Sequence, residues 1–264
     1  MSDAVELKSC CAAAYESDFA RLLLGDSFHP GGVALTARLA ELLAFEPRDS
    51  VLDVASGRGD SAIFLAGQFG CRVTGVDFGS ANIAQAKARA EQAGVANLVR
   101  FELGDAERLE HPDASFDAVI CECAFCTFPD KRAAASEFAR VLRPGGRLGL
   151  SDLSRSGTLP AHLNGLLAWI ACIGDARPIE EYVAHLADAG FHAVSVEPHD
   201  DALAQMVREI QGRLLAAELM VKLEKINLAG VDFDEAKSMA AGAAGAVRTG
   251  VLGYSLITAR KPCG

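Results

Sequence analysis

The stretch VLDVASGRGD, residues 51–60, decides the fold of this chain. A short apolar run with β-branched residues, typical of a buried strand, stops at the Ser-Gly-Arg-Gly of residues 56–59. A helix-like segment, residues 61–69, follows at once. Glycines at such a junction let the backbone turn sharply and lie close to a ligand. The stretch therefore predicts a strand, a glycine turn and a helix that together border a binding site.

A second strand-like run, residues 71–77, ends in the carboxylate of Asp77. An acid about 20 residues after the glycine turn is placed to hydrogen-bond the hydroxyl groups of a ribose. The sequence lacks both the third glycine of a dinucleotide fingerprint and the Gly-Lys-Ser/Thr of a triphosphate-binding loop. The pattern therefore favours a nucleoside without a pyrophosphate over NAD or ATP.

The composition and net charge of the chain limit the kinds of partner it can bind. The chain has 264 residues, of which 50% are hydrophobic, and a net charge of −10. Such an acidic chain does not favour a nucleic-acid or anionic-membrane partner. Residues 1–8 lack the apolar centre of a signal peptide, and the longest apolar stretch, residues 163–173, is too short to span a bilayer. We therefore expect a cytoplasmic protein that binds neither nucleic acid nor membrane.

Strands alternate with helices along most of the chain. The predicted strands are residues 50–55, 72–77, 99–103, 118–121, 147–151, 193–197 and 254–260. The predicted helices are residues 10–24, 35–43, 61–69, 81–93, 131–142, 163–173, 179–189 and a long run over 201–246. This alternation predicts an α/β fold with a doubly wound, mostly parallel seven-stranded sheet and helices on both faces.

The same pattern predicts one domain, residues 1–264, with four parts. Residues 1–48 form an N-terminal helical cap, 49–200 the ligand-binding core, 201–247 a helical insertion and 248–264 the final strand and tail. The insertion is large enough to form a lid or a dimer face. The oligomeric state is left open.

Five motifs resemble those of the class I S-adenosylmethionine-dependent methyltransferases. They are Asp53–Gly59, Asp77, Gly104–Glu107, Phe116–Val119 and Val141–Gly146. The resemblance covers roughly residues 50–260 and implies a Rossmann-like methyltransferase fold that binds S-adenosyl-L-methionine. Such an enzyme positions a reactive methyl group and aligns an acceptor behind it.

The resemblance also implies roles for individual residues. Ser56, Gly57 and Gly59 would let the amino-acid part of the cofactor approach the backbone. Asp77 would hold the ribose, while Asp105 would hold the adenine amino group with Ala106 packed nearby. In addition, Tyr15 on the first predicted helix is a candidate to close over the cofactor, although a Tyr at helical spacing is more often a core residue.

Cysteines are concentrated where the methyl acceptor is expected. The chain has eight, and in a reducing compartment their thiols are available for ligation or catalysis. Three lie in CECAFC, residues 121–126, after the fourth predicted strand and before a Pro-Asp-Lys. The spacing of these three also suggests zinc, but structural zinc sites have two paired half-sites and this loop offers one.

This arrangement resembles the arsenite methyltransferases, which carry one cysteine in the loop after strand four and another in a helix after strand five. By that match, Cys123 and Cys172 bind trivalent arsenic. The family carries further cysteines before the cofactor loop, where this chain has His29-Pro30-Gly31-Gly32. Cys10 and Cys11 are candidates to substitute for them, with Cys11 as a possible third arsenic ligand. The interpretation of His29 is that it fixes a tight loop with Pro30.

Thiolates are the ligands that soft, thiophilic centres prefer. Arsenic held by sulfur keeps a lone pair that can attack the methyl group, so no general base is required, and a thiol reductant is the expected partner. Two other hypotheses stay open at this point. One is a methyltransferase for a small organic acceptor, and the other is a non-catalytic sensor of thiols or metalloids.

Overall fold

The computed structural model of the protein describes residues 2–25, 28–159, 163, 172–228 and 231–264. Seven strands form one sheet in the order β3-β2-β1-β4-β5-β7-β6. They are β1 (Ser50–Val54), β2 (Arg72–Asp77), β3 (Val99–Leu103), β4 (Phe116–Glu122), β5 (Leu142–Arg155), β6 (His192–Pro198) and β7 (Leu252–Arg260). Only β7 runs antiparallel to its neighbours. The predicted doubly wound, mostly parallel sheet is confirmed.

Helices precede, connect and follow these strands. They are α1 (Ser2–Glu16), α2 (Asp18–Leu24), α3 (Gly32–Leu42), α4 (Asp60–Phe69), α5 (Ser80–Gln92), α6 (Lys131–Val141), α7 (Ile179–Asp188), α8 (Asp200–Lys222) and α9 (Phe233–Arg248). A short 3₁₀ turn, Phe125–Thr127, lies between β4 and α6. None of the helices in the described ranges is long and apolar enough to cross a bilayer.

Both faces of the sheet are covered by helices. Successive strand residues point to opposite faces. Val51 and Ile120 pack on one face with α3, α4 and α5, whereas Leu52 and Val119 pack on the other face with α6 and α7. Because neither face meets solvent at its centre, most positions of β1 and β4 are apolar.

Capping side chains divide two segments that the sequence predicts as single helices. The predicted helix over 10–24 breaks at Ser17, which is extended and accepts a hydrogen bond from the Ala20 amide at 3.1 Å. The predicted run over 201–246 is two helices, and Asp232 caps the second by accepting bonds from two amides. Serine and aspartate side chains favour a new helix start at such positions.

β5 is longer than predicted. The sequence indicates a strand over 147–151 that follows a Pro-Gly-Gly stop, but the strand covers Leu142–Arg155. Backbone bonds of Lys261 with Gly145 and Gly146 extend its pairing with β7 at one end, and Arg155 pairs with Leu252 at the other. The predicted helix over 163–173, which contains Trp169, lies outside the described residues except for Leu163, Cys172 and Ile173.

A helical cap lies beyond the sheet. Phe19 and Leu23 of α2 pack against Leu214 of α8 and Ala240 of α9 in a small separate core. The N-terminal helices and the helical insertion are therefore in direct contact. The division of the chain into four parts remains a prediction.

Candidate active site

A cavity of about 160 Å³ opens beyond the carboxyl ends of β1, β2 and β4. β1 and β4 are neighbours in the sheet although β2 and β3 separate them in sequence. The segment that follows β1 and the segment that follows β4 therefore run in opposite directions from the edge of the sheet. A crevice for a ligand forms between them. Six of the seven residues predicted to contact the cofactor line the cavity, namely Tyr15, Ser56, Gly57, Asp77, Asp105 and Ala106.

The glycine turn after β1 has two different glycines. Gly57 has a φ of 52°, and a Cβ built on it would meet no atom within 4 Å, because it borders the cavity. Gly59 has a φ of 80°, and a Cβ there would lie 2.5 Å from the ring of Phe101. Gly59 does not line the cavity, so the structure gives it a role in the turn and in packing.

Asp77 joins the turns that follow β1 and β2. One carboxylate oxygen accepts a bond from the Gly57 amide at 2.8 Å. The other accepts from the Gly79 amide at 2.8 Å and from Asn82 Nδ2 at 3.2 Å. Burial raises the pKa of Asp77 although these three donors favour its charged form. Asp77 therefore shapes the cavity wall, and its predicted bond to a ribose remains a prediction.

Asp105 forms an ion pair with Lys8, a residue that no sequence motif indicates. Lys8 Nζ of α1 donates to both oxygens of Asp105, at 2.9 and 2.7 Å, and to Glu107 at 2.5 Å. Burial lowers the pKa of Lys8, but these bonds outweigh it and raise that pKa overall. α1 is thereby fixed against the end of the cavity where adenine is expected, and the predicted adenine contact of Asp105 remains a prediction.

Two thiols from distant parts of the chain meet beside this cavity. Cys123 Sγ lies 3.9 Å from Cys172 Sγ, although 49 residues separate them. Both backbones are in the left-handed region, with φ of 54° at Cys123 and 63° at Cys172. This conformation is costly for residues other than glycine and persists where the surroundings enforce it, often at functional sites.

Comparisons with known proteins identify the family. A family model described as a methyltransferase domain matches residues 51–146. The 27-O-demethylrifamycin SV methyltransferase of Amycolatopsis mediterranei is 34% identical over 243 residues, which are 86% of this chain and 83% of that enzyme. The chain is a class I S-adenosylmethionine-dependent methyltransferase.

Two further relatives show how widely the acceptors vary. The arsenite methyltransferase of Halobacterium salinarum is 32% identical over 162 residues, covering 60% of this methyltransferase but only 41% of that enzyme. A solved structure of phosphoethanolamine N-methyltransferase 2 from Haemonchus contortus, in complex with S-adenosyl-L-methionine, has a TM-score of 0.81 at 20% identity. It matches 97% of this chain and 60% of that one. The relatives therefore establish the methyl donor but not the acceptor.

The cavity fits S-adenosyl-L-methionine, the cofactor of this methyltransferase. Asp53 Oδ2, Ser56 Oγ and Asn82 Oδ1 line it and are buried without a hydrogen-bond partner among the described residues. Buried polar atoms normally have partners, so these three are suited to the polar groups of the cofactor. When bound, the cofactor supplies an activated methyl group, and the chain contributes its position.

The two thiols have opposite acidities. Hydrogen bonds from Cys123, Cys126 and Tyr15 lower the pKa of Cys172 well below its ordinary value, and the positive charge of Lys131 adds to this effect. The hydrogen bond that Cys123 donates to Cys172, together with burial, raises the pKa of Cys123. Cys172 is therefore the more acidic thiol of the pair, and Cys123 donates the hydrogen bond between them.

The other residues predicted near the acceptor are only partly brought together. Tyr15 Oη lies 3.2 Å from Cys172 Sγ, so Tyr15 contacts the thiol pair as well as the cofactor cavity. Cys11 lines the cavity, but burial and the nearby Cys172 raise its pKa to about 12. Cys10 lines neither this cavity nor the apolar one described below. The structure therefore does not place Cys10 at the wall of either cavity.

Sequence reasoning missed a polar pair in the cavity wall. His29 and Glu122 are both buried there, with His29 Nε2 3.9 Å from Glu122 Oε2. His29 precedes α3 and Glu122 ends β4, so no local motif joins them. The His-Pro-Gly-Gly segment was the available signal, but without the fold it predicts only a tight loop.

An apolar cavity of about 230 Å³ adjoins the thiols. It lies between the N-terminal helices and the helical insertion, and Tyr15, Phe28 and Cys123 line both cavities. Cys172 also lines the apolar cavity. The thiol pair therefore stands at the junction between the cofactor cavity and a second, mostly apolar space.

Proposed function

We propose that this methyltransferase methylates trivalent arsenic, as arsenite, or a similar thiophilic metalloid held by Cys123 and Cys172. The carrying observation is the 3.9 Å separation of their sulfur atoms at the edge of the cofactor cavity. A cytoplasmic role in arsenic detoxification is part of the proposal, since a reducing compartment keeps both thiols available.

The sulfur separation suits one bridging atom. With bonds of about 2.3 Å, the length of a zinc–sulfur bond, an atom bridges sulfurs 3.9 Å apart at an angle of roughly 115°. Soft centres prefer thiolate ligands, and the lowered pKa of Cys172 favours its thiolate form.

The site provides two sulfur ligands rather than a complete metal site. Among the residues that the structure describes, no group of three or more His, Cys, Asp or Glu side chains has a geometry that holds a metal ion. The third bond of trivalent arsenic then goes to oxygen or to a thiol from solution, with Cys11, which lines the cofactor cavity, as a candidate from the chain.

The chemistry balances with one added reactant. Each cysteine that replaces a hydroxide of arsenite forms an S–As bond and releases water. The arsenic lone pair would form the As–C bond while the carbon–sulfur bond of the methyl donor breaks and its electron pair goes to sulfur, which leaves arsenic pentavalent. A thiol reductant returns two electrons and restores the trivalent state, which is why a thiol is the proposed partner.

The test is transfer of a labelled methyl group from the cofactor to arsenite in the presence of glutathione. We expect methylated arsenic from the wild type, and at least a hundredfold loss in Cys123→Ser and in Cys172→Ser. Cys263→Ser is the matched control, because Cys263 is exposed in the C-terminal tail. Full activity of Cys123→Ser would remove that residue from the proposal.

A further inference from the structure

Metalloid methylation leaves the buried pair His29 and Glu122 without a function. His29 is 8% exposed, and its Nε2 has no hydrogen-bond partner within the described part of the chain. Unpaired buried nitrogens are rare in folded proteins. Since His29 also lines the cofactor cavity, its free nitrogen is available to a group bound there.

The surroundings of His29 determine which nitrogen carries the proton. Nδ1 lies 3.3 Å from the Pro30 carbonyl oxygen, which can only accept a hydrogen bond. Nδ1 therefore carries the hydrogen in the neutral ring, and Nε2 presents its lone pair. This is the state of histidine that removes a proton from an acceptor.

Glu122 is held in place beside that nitrogen. Its carboxylate accepts bonds from the hydroxyls of Ser61 and Thr36, the latter at 3.0 Å, and from Ser151 at 3.4 Å. These donors hold the Glu122 carboxyl group 3.9 Å from Nε2. Glu122 is therefore fixed beside that nitrogen of His29.

The neighbouring apolar cavity indicates what kind of molecule carries the proton. Phe28 and Pro30, on either side of His29, line that cavity together with Leu203 and Ile210. Arsenite has no apolar surface to fill a space of about 230 Å³. An organic molecule with an apolar body fits it and can extend a polar group toward His29.

We propose that the enzyme also methylates the hydroxyl group of an apolar organic acceptor, with His29 as general base. The hydroxyl oxygen bonds to the methyl carbon while the carbon–sulfur bond breaks and its electron pair goes to sulfur. The hydroxyl proton moves to His29 Nε2, and Glu122 is a positioning residue beside that nitrogen. This activity uses neither Cys123 nor Cys172 as a ligand.

The probe for this activity is 1-naphthol, a two-ring phenol. We expect the wild type to transfer a labelled methyl group to the oxygen of 1-naphthol. The rate of that transfer should fall at least a hundredfold in His29→Ala, since general bases contribute roughly 10²–10⁴-fold. Added imidazole should raise the methyl-transfer rate of His29→Ala at least tenfold. His192→Ala is the matched control, because His192 is exposed on β6.

Calorimetric titration of 1-naphthol separates chemistry from folding. We expect His29→Ala to bind 1-naphthol without cofactor, and Ala243→Phe, which fills the apolar cavity, to lose that binding. A His29→Ala enzyme that keeps its rate, or that binds 1-naphthol but is not rescued by imidazole, would overturn the proposal. A wild type that does not methylate 1-naphthol would also overturn the proposal, whether or not it methylates arsenite.

Discussion

The backbone at Cys123 shows what the thiol pair costs the protein. A left-handed conformation is less stable by roughly 1–2 kcal/mol for a residue with a Cβ, and both Cys123 and Cys172 adopt it. Glycine would be the favoured residue at either position if only the turn mattered. The proposed arsenic site accounts for cysteine, rather than glycine, at these two positions.

A pair of substitutions at Cys123 tests this cost. Cys123→Gly and Cys123→Ala both remove the thiol, but only glycine adopts a φ of 54° freely. We expect Cys123→Gly to be more stable than Cys123→Ala by about 1 kcal/mol in urea unfolding. Equal stabilities, or a more stable alanine variant, would show that the backbone at Cys123 is not strained.

The acidity of Cys172 gives a second prediction at this scale. Because its pKa is lowered, it stays a thiolate as the pH falls below the ordinary cysteine value. Iodoacetamide alkylation of Cys172, followed by mass spectrometry, should therefore have its midpoint well below the ordinary cysteine pKa of about 8.5. Tyr15→Phe removes one hydrogen-bond donor and should raise the Cys172 midpoint by about one pH unit. An unchanged midpoint in Tyr15→Phe would mean that Tyr15 does not stabilise the thiolate.

Single residues differ in how far the sequence alone predicts them. Gly57 and Asp77 belong to one local motif, and both line the cavity. The contact of Tyr15 with Cys172 spans 157 residues and no periodicity indicates it. Lys8 and the His29–Glu122 pair were missed for the same reason, since they meet only when helices before the sheet fold over its edge.

At the scale of elements, an aromatic cluster positions the loop that carries the thiols. Phe125, in the 3₁₀ turn after β4, is fully buried. Its ring lies about 6 Å from those of Phe128, Phe138 and Tyr182. The next residue, Cys126, donates its amide hydrogen to Asp152 of β5 at 2.9 Å. The loop is therefore held between α6, α7 and β5.

Phe125→Ala should reveal this support. Truncating a buried phenylalanine costs about 3–5 kcal/mol, and the cavity left behind lies next to the thiol loop. We expect that loss in denaturant unfolding, together with weaker arsenite binding in the protein that remains folded. Phe69→Ala is the comparison, because Phe69 packs on the opposite face of the sheet. If Phe125→Ala binds arsenite like the wild type, the cluster supports stability alone.

Element boundaries show where sequence patterns fail. Strands β1 to β4 were predicted because buried apolar runs end at clear turn signals. The two divided helices and the long β5 were not, because Ser17, Asp232 and the tail after β7 act through capping and pairing. Hydrophobic periodicity does not report either of these effects.

At the scale of the whole molecule, the cofactor cavity is closed partly by α1 rather than by the sheet alone. Lys8, Cys11 and Tyr15 line it from that helix. Binding of S-adenosyl-L-methionine should therefore stabilise the entire domain. A ligand at a hundred times its Kd contributes about 2.7 kcal/mol to the free energy of unfolding.

We expect that amount to raise the thermal midpoint by several degrees in a scanning fluorimetry experiment. Asp77→Asn should lose most of the shift, measured as the difference with and without cofactor, so that any intrinsic destabilisation cancels. Asp201→Asn is the control, since Asp201 is exposed at the start of α8. A full shift in Asp77→Asn would exclude Asp77 from cofactor binding.

The most direct test of the thiol pair is arsenic K-edge X-ray absorption of the protein with one equivalent of arsenite. In the wild type we expect at least two As–S bonds of about 2.3 Å per arsenic atom. Cys123→Ser and Cys172→Ser should each lose one of them. Arsenic surrounded only by oxygen in the wild type, or unchanged sulfur coordination in both variants, would contradict the proposal that these two cysteines hold the acceptor.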